Sequence, residues 1–312
     1  MLSNALVIAN GKGGVGKTTI AANVAGMTAS AGWRVLAVDL DPQGNLGSDL
    51  GFKQRGLDDG GQALRDAIEA DTVPTPLRDV RPGLDVIAAG QSTAELVSAF
   101  SIDRVAGRHA VSRALEPLAG DYDLIVIDCP PAGGAMVDAA LTAAHWLVIP
   151  VKYDDGSLDG LELMARQFSD VRSSDNPGLE LLGVALFDFS LAGKVIRREV
   201  RKALEAELGD SRFIFESVIR RSERGAYDMR RMGILSHEYS KQSRDQERNT
   251  SVAERIKAAR AGSPVQQFSS AAEGLAEDFE NLTREIHARV GLKKPRRPYA
   301  VVEGDPWAGV DA

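Results

Sequence analysis

Short apolar runs alternate along this chain with longer stretches in which apolar residues recur every three or four positions. Ala5–Ala9, Val35–Val38, Leu84–Gly90, Leu124–Ile127, Trp146–Val151, Leu179–Phe189 and Phe213–Ile219 are the short runs. Their near-continuous apolar character marks strands covered on both faces. Helical spacing follows at Ile20, Ala21, Val24 and Ala25, over 94–118 with a break near Ser101, and at Leu158, Leu161, Met164 and Phe168. It returns at Ile196, Val200, Leu204 and Leu208, and again at Phe268, Ala271, Leu275, Phe279, Leu282, Ile286 and Val290. The last set reads as a closing helix packed on the sheet rather than a coiled-coil or partner helix. Residues 52–82 carry glycine, aspartate and proline and one short helical pattern (Ala63, Leu64, Ala67, Ile68), which predicts surface decoration. Strands alternating with helices predict an α/β fold, a mostly parallel twisted β-sheet flanked by helices on both faces. The pattern predicts one domain over 1–290. From 291 to 312, prolines, the basic run Lys293-Lys294-Pro295-Arg296-Arg297 and an acidic end predict a flexible tail.

The first strand runs directly into Asn10-Gly11-Lys12-Gly13-Gly14-Val15-Gly16-Lys17-Thr18-Thr19. Gly11, Gly16, Lys17 and Thr18 satisfy G-x-x-x-x-G-K-[ST], in the strand–loop–helix context that the pattern requires. Glycines let successive backbone N–H groups converge on one anion, and the helix N-terminus adds its positive dipole end. This predicts a nucleoside triphosphate site over residues 11–19, with Lys17 reaching the β- and γ-phosphates and the Thr18 hydroxyl on Mg²⁺.

The additional lysine, Lys12, makes this a deviant Walker A sequence and resembles the ParA/MinD superfamily of ATPases. That resemblance implies that Lys12 crosses a homodimer interface to the partner's nucleotide, so that closure depends on the γ-phosphate. Asp39-Leu40-Asp41-Pro42-Gln43-Gly44-Asn45 resembles the family's second motif. By that resemblance Asp41 orients the attacking water, and Asp39 supports the Mg²⁺ shell and the switch region. Tyr122 to Pro131 is a Walker B element whose Asp128 is expected to hold Mg²⁺ through water; Cys129-Pro130-Pro131 and Gly133 extend the resemblance. Cys129 reads as a small packed side chain, with no activating base or cation in sequence nearby. Leu158-Asp159-Gly160-Leu161 resembles a family stretch at the dimer seam, where Asp154 is a candidate contact. The family's Ile-Pro-Arg-like step near the adenine is replaced by Ile219-Arg220-Arg221, so base-contacting residues are left unnamed. The resemblance covers about residues 4 to 290.

Composition narrows the alternatives. A single cysteine excludes an intrachain disulfide framework, and the four scattered histidines show no metal-ligand spacing. No apolar run approaches the ~20 residues of a membrane span, and no signal-peptide pattern is present, which predicts a cytoplasmic protein. The net charge is −7, yet residues 194–248 hold 14 Lys+Arg against 10 Asp+Glu, leaving 23 against 34 elsewhere. Lys194, Arg197, Arg198, Arg201 and Lys202 lie opposite the apolar stripe of their helix; Arg220, Arg221 and Arg224 form a second cluster. Both fall where the resemblance places DNA contacts, and phosphate binding by such residues carries no sequence information. The resemblance therefore implies a partition ATPase using ATP and Mg²⁺: an ATP-bound homodimer on non-specific DNA at the nucleoid, released by hydrolysis that a ParB-like centromere-binding protein stimulates. A MinD-like membrane-positioning ATPase would carry an amphipathic C-terminal helix, which Pro298 to Trp307 does not form. A nitrogenase-type iron protein needs more cysteine, and an ATP-dependent biosynthetic enzyme on the same fold leaves the basic clusters unexplained.

Overall fold

A computed structural model describes residues 1–131, 133–152, 157–190, 193–249 and 271–293, without the side chains of 157–159, 194 and 247–249. Eight strands form one sheet: β1 (Leu2–Ile8), β2 (Val35–Asp39), β3 (Leu77–Arg81), β4 (Leu84–Ile87), β5 (Leu124–Asp128), β6 (Ala144–Lys152), β7 (Glu180–Phe189) and β8 (Ile214–Arg220). Their order is β3-β4-β2-β5-β1-β6-β7-β8, parallel throughout except for the β3–β4 pair. Connections cross over through helices α1 (Lys17–Ser30), α2 (Asn45–Asp49), α3 (Gln62–Ala70), α4 (Gln91–Ile102), α5 (Arg104–Ala119), α6 (Ala135–Ala143), α7 (Ser157–Ser174) and α8 (Lys194–Leu208). Among the described residues three more follow β8: α9 (Glu223–Met232), α10 (Ser236–Asn249) and α11 (Ala272–Val290).

The two-residue period of the strands divides the core into two layers. In β1, Ala5 and Val7 face the layer covered by α3 to α8, while Leu6 and Ile8 face the layer built on α1, α2 and α9 to α11. In β5, Ile125 and Ile127 take the first side and Leu124 and Val126 the second. Every one of these side chains is fully buried.

Three expectations gain detail. The segment 52–82 is more than decoration, because Leu77–Arg81 adds an antiparallel edge strand to β4. Only Val80 of that strand is well buried, so it shows no continuous apolar run. The helix break expected near Ser101 falls at Asp103, whose carboxylate accepts the Ala106 N–H at 3.0 Å and caps α5. The closing helix begins at Ala272; Phe268, together with the tail beyond Lys293, lies outside the described residues.

α11 packs along β8, and its carboxylates satisfy the backbone of this edge strand. Asp278 accepts the Arg220 N–H at 2.9 Å, while Glu285 accepts those of Glu216 and Ser217 at 2.9 and 2.7 Å. Seven residues apart on one helix face, they occupy N–H groups that another strand could otherwise pair with. Among the described residues no helix is long and apolar enough to cross a membrane.

Candidate active site

The loop from β1 to α1 is held from two sides. Asn10 donates its amide to Pro150 O at 2.6 Å and accepts the Lys12 N–H at 2.9 Å, which ties the loop to β6. Gly160, in the Leu-x-Gly-Leu stretch, lets α7 close on it: a Cβ there would sit 2.5 Å from Asn10 Oδ1. Gly16 caps α1 with a left-handed φ of 89°, and the Phe187 ring lies where its Cβ would be, at 2.6 Å. Lys17 is buried, and its Nζ donates to Lys12 O at 2.9 Å. Burial lowers its pKa, against the pull of Asp128 and Asp41. A buried ammonium held by one neutral carbonyl is suited to receive an anion.

The carboxylates converge from β2 and β5, where Asp39 and Asp128 are register partners. Asp128 is fully buried, and neither of its oxygens meets a donor in hydrogen-bond geometry, although the Thr18 hydroxyl lies close enough to favour the ionised form. Burial, with Asp41 and Asp49 adding repulsion, raises its pKa to about 7. Asp39, expected to support the Mg²⁺ shell and the switch region, is held by backbone donors. Its Oδ1 accepts the Asp41 N–H at 2.9 Å and its Oδ2 the Leu46 N–H at 3.2 Å, so it shapes the turn that carries Asp41. Burial and the neighbouring Asp128 push its pKa up. Asp41 reaches the cavity, with Oδ1 accepting the Gln43 N–H at 2.9 Å. Cys129 is packed in the core, its thiol pKa raised by burial, as expected of an inert side chain.

Of these residues Gly16, Lys17, Asp41 and Phe187 border a cavity of about 600 Å³, and Asp128 stays buried behind them. One end is polar, with Lys17, Thr18, Thr19 and Asp41; the other is apolar, with Ile219, Met229, Leu275 and Phe279. A charged phosphate tail joined to a flat base has that same polarity. The apolar wall comes from β8, α9 and α11; the resemblance pointed to the step at Ile219, but no local motif announced Met229, Leu275 and Phe279. An orphaned buried carboxylate beside a threonine hydroxyl at the phosphate end fits Mg²⁺, which binds through one or two protein oxygens and completes its shell with water and phosphate. Among the described residues no cluster of three acidic, histidine or cysteine side chains forms a metal cage.

Comparison with known proteins agrees with this architecture. A family model described as an AAA domain matches residues 3–181. The chromosome partitioning protein ParA of Caulobacter vibrioides is 36% identical over 224 residues, which is 70% of this chain and 81% of that protein. The chromosome-partitioning ATPase Soj of Treponema pallidum is 30% identical over 296 residues, 94% of this chain and 100% of that protein. The chain belongs to the ParA/MinD superfamily of P-loop ATPases. Among solved structures, cobyrinic acid a,c-diamide synthase from Mycobacterium smegmatis with bound ADP and magnesium matches with a TM-score of 0.60 and 30% identity, over 74% of this chain and 92% of that one.

In this ParA/MinD-type ATPase the basic residues expected to contact DNA do not share one surface. Arg197, Arg198, Arg201 and Lys202 line a shallow depression of about 450 Å³ with Glu205, Glu216 and Val218. Arg201 is tied down there, donating to Phe215 O at 2.9 Å and pairing with Glu216 at 2.7 Å. The Lys194 side chain and Asp154 lie outside the described residues. Arg220, Arg221 and Arg224 do not join this patch. Arg220 lines the nucleotide cavity, 20% exposed, with Nε and Nη2 each 2.6 Å from the Asp278 carboxylate. Arg221 pairs with Asp188 at 3.3 Å, a residue that Lys152 also holds at 2.5 Å and whose φ is 62°. Arg224 pairs with Asp228 at 2.9 Å.

Proposed function

We propose that this ATPase is a partition ATPase: it binds ATP with Mg²⁺, closes as a homodimer over the nucleotides, and holds DNA without sequence preference. Hydrolysis, stimulated by a ParB-like centromere-binding protein, releases it at the nucleoid. The observation that carries this reading is the Lys12-bearing loop, whose Gly13, Gly14, Gly16 and Lys17 border one cavity with Asp41 while the buried Asp128 lies close to Lys17 and Thr18, in a chain whose relatives are named for chromosome partitioning.

Each residue then has a physical task. Backbone N–H groups of residues 13–19 cradle the phosphates, and the Lys17 ammonium exchanges the Lys12 carbonyl for phosphate oxygens. Thr18 and Asp128 would hold Mg²⁺, which when bound neutralises charge on the phosphates. Asp39 fixes the turn, and Asp41, held through Oδ1 by Gln43, aligns the attacking water. Phosphoryl transfer needs an aligned nucleophile more than a strong base. Lys12 completes the partner's site and makes closure report the γ-phosphate. Closure brings two copies of the Arg197, Arg198 and Lys202 surface into one particle, which multiplies phosphate contacts.

The 30% identity to an M. smegmatis biosynthetic enzyme supports a second reading, an ATP-dependent synthase on this fold. A DNA-binding titration separates the two. Duplex DNA is titrated with ATP and Mg²⁺, with ADP, and with no nucleotide, at two salt concentrations. Retention only with ATP, collapsing as salt rises, is the expected result. Equal binding in all nucleotide states, or none, sinks the partition reading.

A further inference from the structure

One cation on the wall of the nucleotide cavity has no part in the scheme above. Arg230, on α9, donates from Nε to Asp49 Oδ1 at 2.7 Å and from Nη2 to Asp49 Oδ2 at 3.4 Å. The same Oδ2 accepts the hydroxyl of Thr19, in the first turn of α1, at 3.2 Å. Asp49 is buried at 7% exposure, whereas half of the Arg230 side chain remains open, and both residues line the cavity beside Thr18 and Thr19.

The geometry leaves donors over. A guanidinium carries five N–H groups in a rigid fork, and Asp49 takes two of them. The remaining three belong to a planar group whose orientation is already fixed by its carboxylate partner, so little rotamer freedom is left to lose on meeting a ligand. The backbone around it is equally constrained. Gln54 Nε2 donates to both Ser48 O and Arg230 O, at 3.0 and 3.1 Å, joining the end of α2 to the end of α9. Gly51 and Gly233 touch so closely that a Cβ on Gly51 would lie 2.4 Å from Gly233 O. A pair serving only to tie α9 to α2 would be redundant with these contacts.

We propose that Arg230 is a phosphate-binding residue of the nucleotide site, supplied within the same chain by α9 and oriented by Asp49, with its free N–H groups directed to the nucleotide phosphates beside Thr19. The proposal rests on the nucleotide reading of the cavity and deepens it. It adds a second cation to Lys17 and makes the position of α9 part of nucleotide recognition. Its ligand class is a nucleoside di- or triphosphate, because a nucleoside without phosphate gives the fork nothing to bind.

The test compares dissociation constants for ATP, ADP and adenosine, each with Mg²⁺, on the full chain. Calorimetry serves for the nucleotides and ligand-observed NMR for adenosine. The proteins are the wild type, Arg230→Ala, Arg230→Lys and the double variant Asp49→Leu/Arg230→Met. The double variant removes the pair without stranding a buried carboxylate. Arg230→Ala is expected to weaken ATP and ADP by about tenfold or more and leave adenosine unchanged, with Arg230→Lys recovering part of the loss. The double variant is expected to stay as weak as Arg230→Ala. If it binds ATP within about twofold of the wild type, the pair is structural and the proposal fails. An equal loss for adenosine also overturns it, since the damage is then to the fold of the site. If the wild type itself binds no ATP, the nucleotide reading falls, an outcome visible before any variant is measured.

Discussion

At the scale of single residues, the site trades stability for charge. Asp128 is fully enclosed, its oxygens accept nothing in good geometry, and Asp39 is its register partner on the next strand. Burying a carboxylate without hydrogen bonds is unfavourable by about 1–3 kcal/mol or more, so this position is kept at the expense of the fold. Replacing Asp128 with Asn removes the charge and lets an amide donate toward the neighbouring carboxylates. We expect Asp128→Asn, measured without nucleotide or magnesium at pH 8, to raise the melting temperature by a few degrees. The same variant should lose Mg²⁺-dependent ATP turnover by two orders of magnitude or more, on the order of one removed electrostatic stabiliser. A lower melting temperature in thermal denaturation would refute the trade. Lys17, Thr18, Asp41 and Asp128 were all legible in the sequence because each belongs to a short contiguous motif that ends or directly follows a strand. Asp49 and Arg230 were not. They stand 181 positions apart in the chain, and only the packing of α9 on α2 puts one beside the other.

Among elements, legibility follows burial. β1, β2 and β5 are covered on both faces and announce themselves as unbroken apolar runs. β3 is an edge strand with polar residues outward and passes for a loop. α11 is legible as an amphipathic helix, with Leu275, Phe279, Leu282 and Ile286 buried, but its polar side chains hold the less visible information. His287 in its last turn lies 2.8 Å from the Thr28 hydroxyl and meets Trp33 edge-on. Thr28 uses its own proton on Val24 O at 2.6 Å, so His287 Nε2 carries the hydrogen of that contact. Burial lowers the His287 pKa to about 4. The folded chain therefore holds this ring neutral where the unfolded chain, with a pKa near ~6.5, takes up a proton. The contribution is fully present above about pH 6.5 and is lost as pH falls toward 4, amounting to about 1 kcal/mol near pH 5.5. Burial lowers the His237 pKa too, which acts in the same direction. Comparing wild type with His287→Gln by urea denaturation at pH 7.5 and 5.5 isolates the first group. The variant should lose the smaller amount of stability between the two pH values. Parallel losses in both proteins would show that this histidine does not carry the effect.

For the molecule as a whole, the question raised by the proposed partition role is which positive charges would meet DNA. Two basic clusters stand in the chain, but ion pairing separates them. Arg220 is enclosed by Asp278 on the cavity wall, and Arg221 and Arg224 each answer an aspartate. Arg201 is anchored to the backbone and to Glu216 at the edge of the sheet. That leaves Arg197, Arg198 and Lys202 on the outer side of α8 as the described cations of the depression that no such pairing holds. On a chain of net charge −7, the proposed DNA attraction would have to come from such a local surface rather than from the whole particle. Each phosphate contact contributes about 0.9 to the slope of log K against log salt. Replacing Arg197, Arg198 and Lys202 by alanine together should flatten that slope by about 2–3 per protomer, measured with ATP and Mg²⁺ on duplex DNA. ATP turnover without DNA should hold, because none of the three lines the nucleotide cavity. Arg220→Ala supplies the contrast. It removes the partner of a shielded carboxylate, so it should lower the melting temperature and leave the salt slope unchanged. If Arg220→Ala flattens the slope and the triple variant does not, DNA approaches the nucleotide face rather than α8.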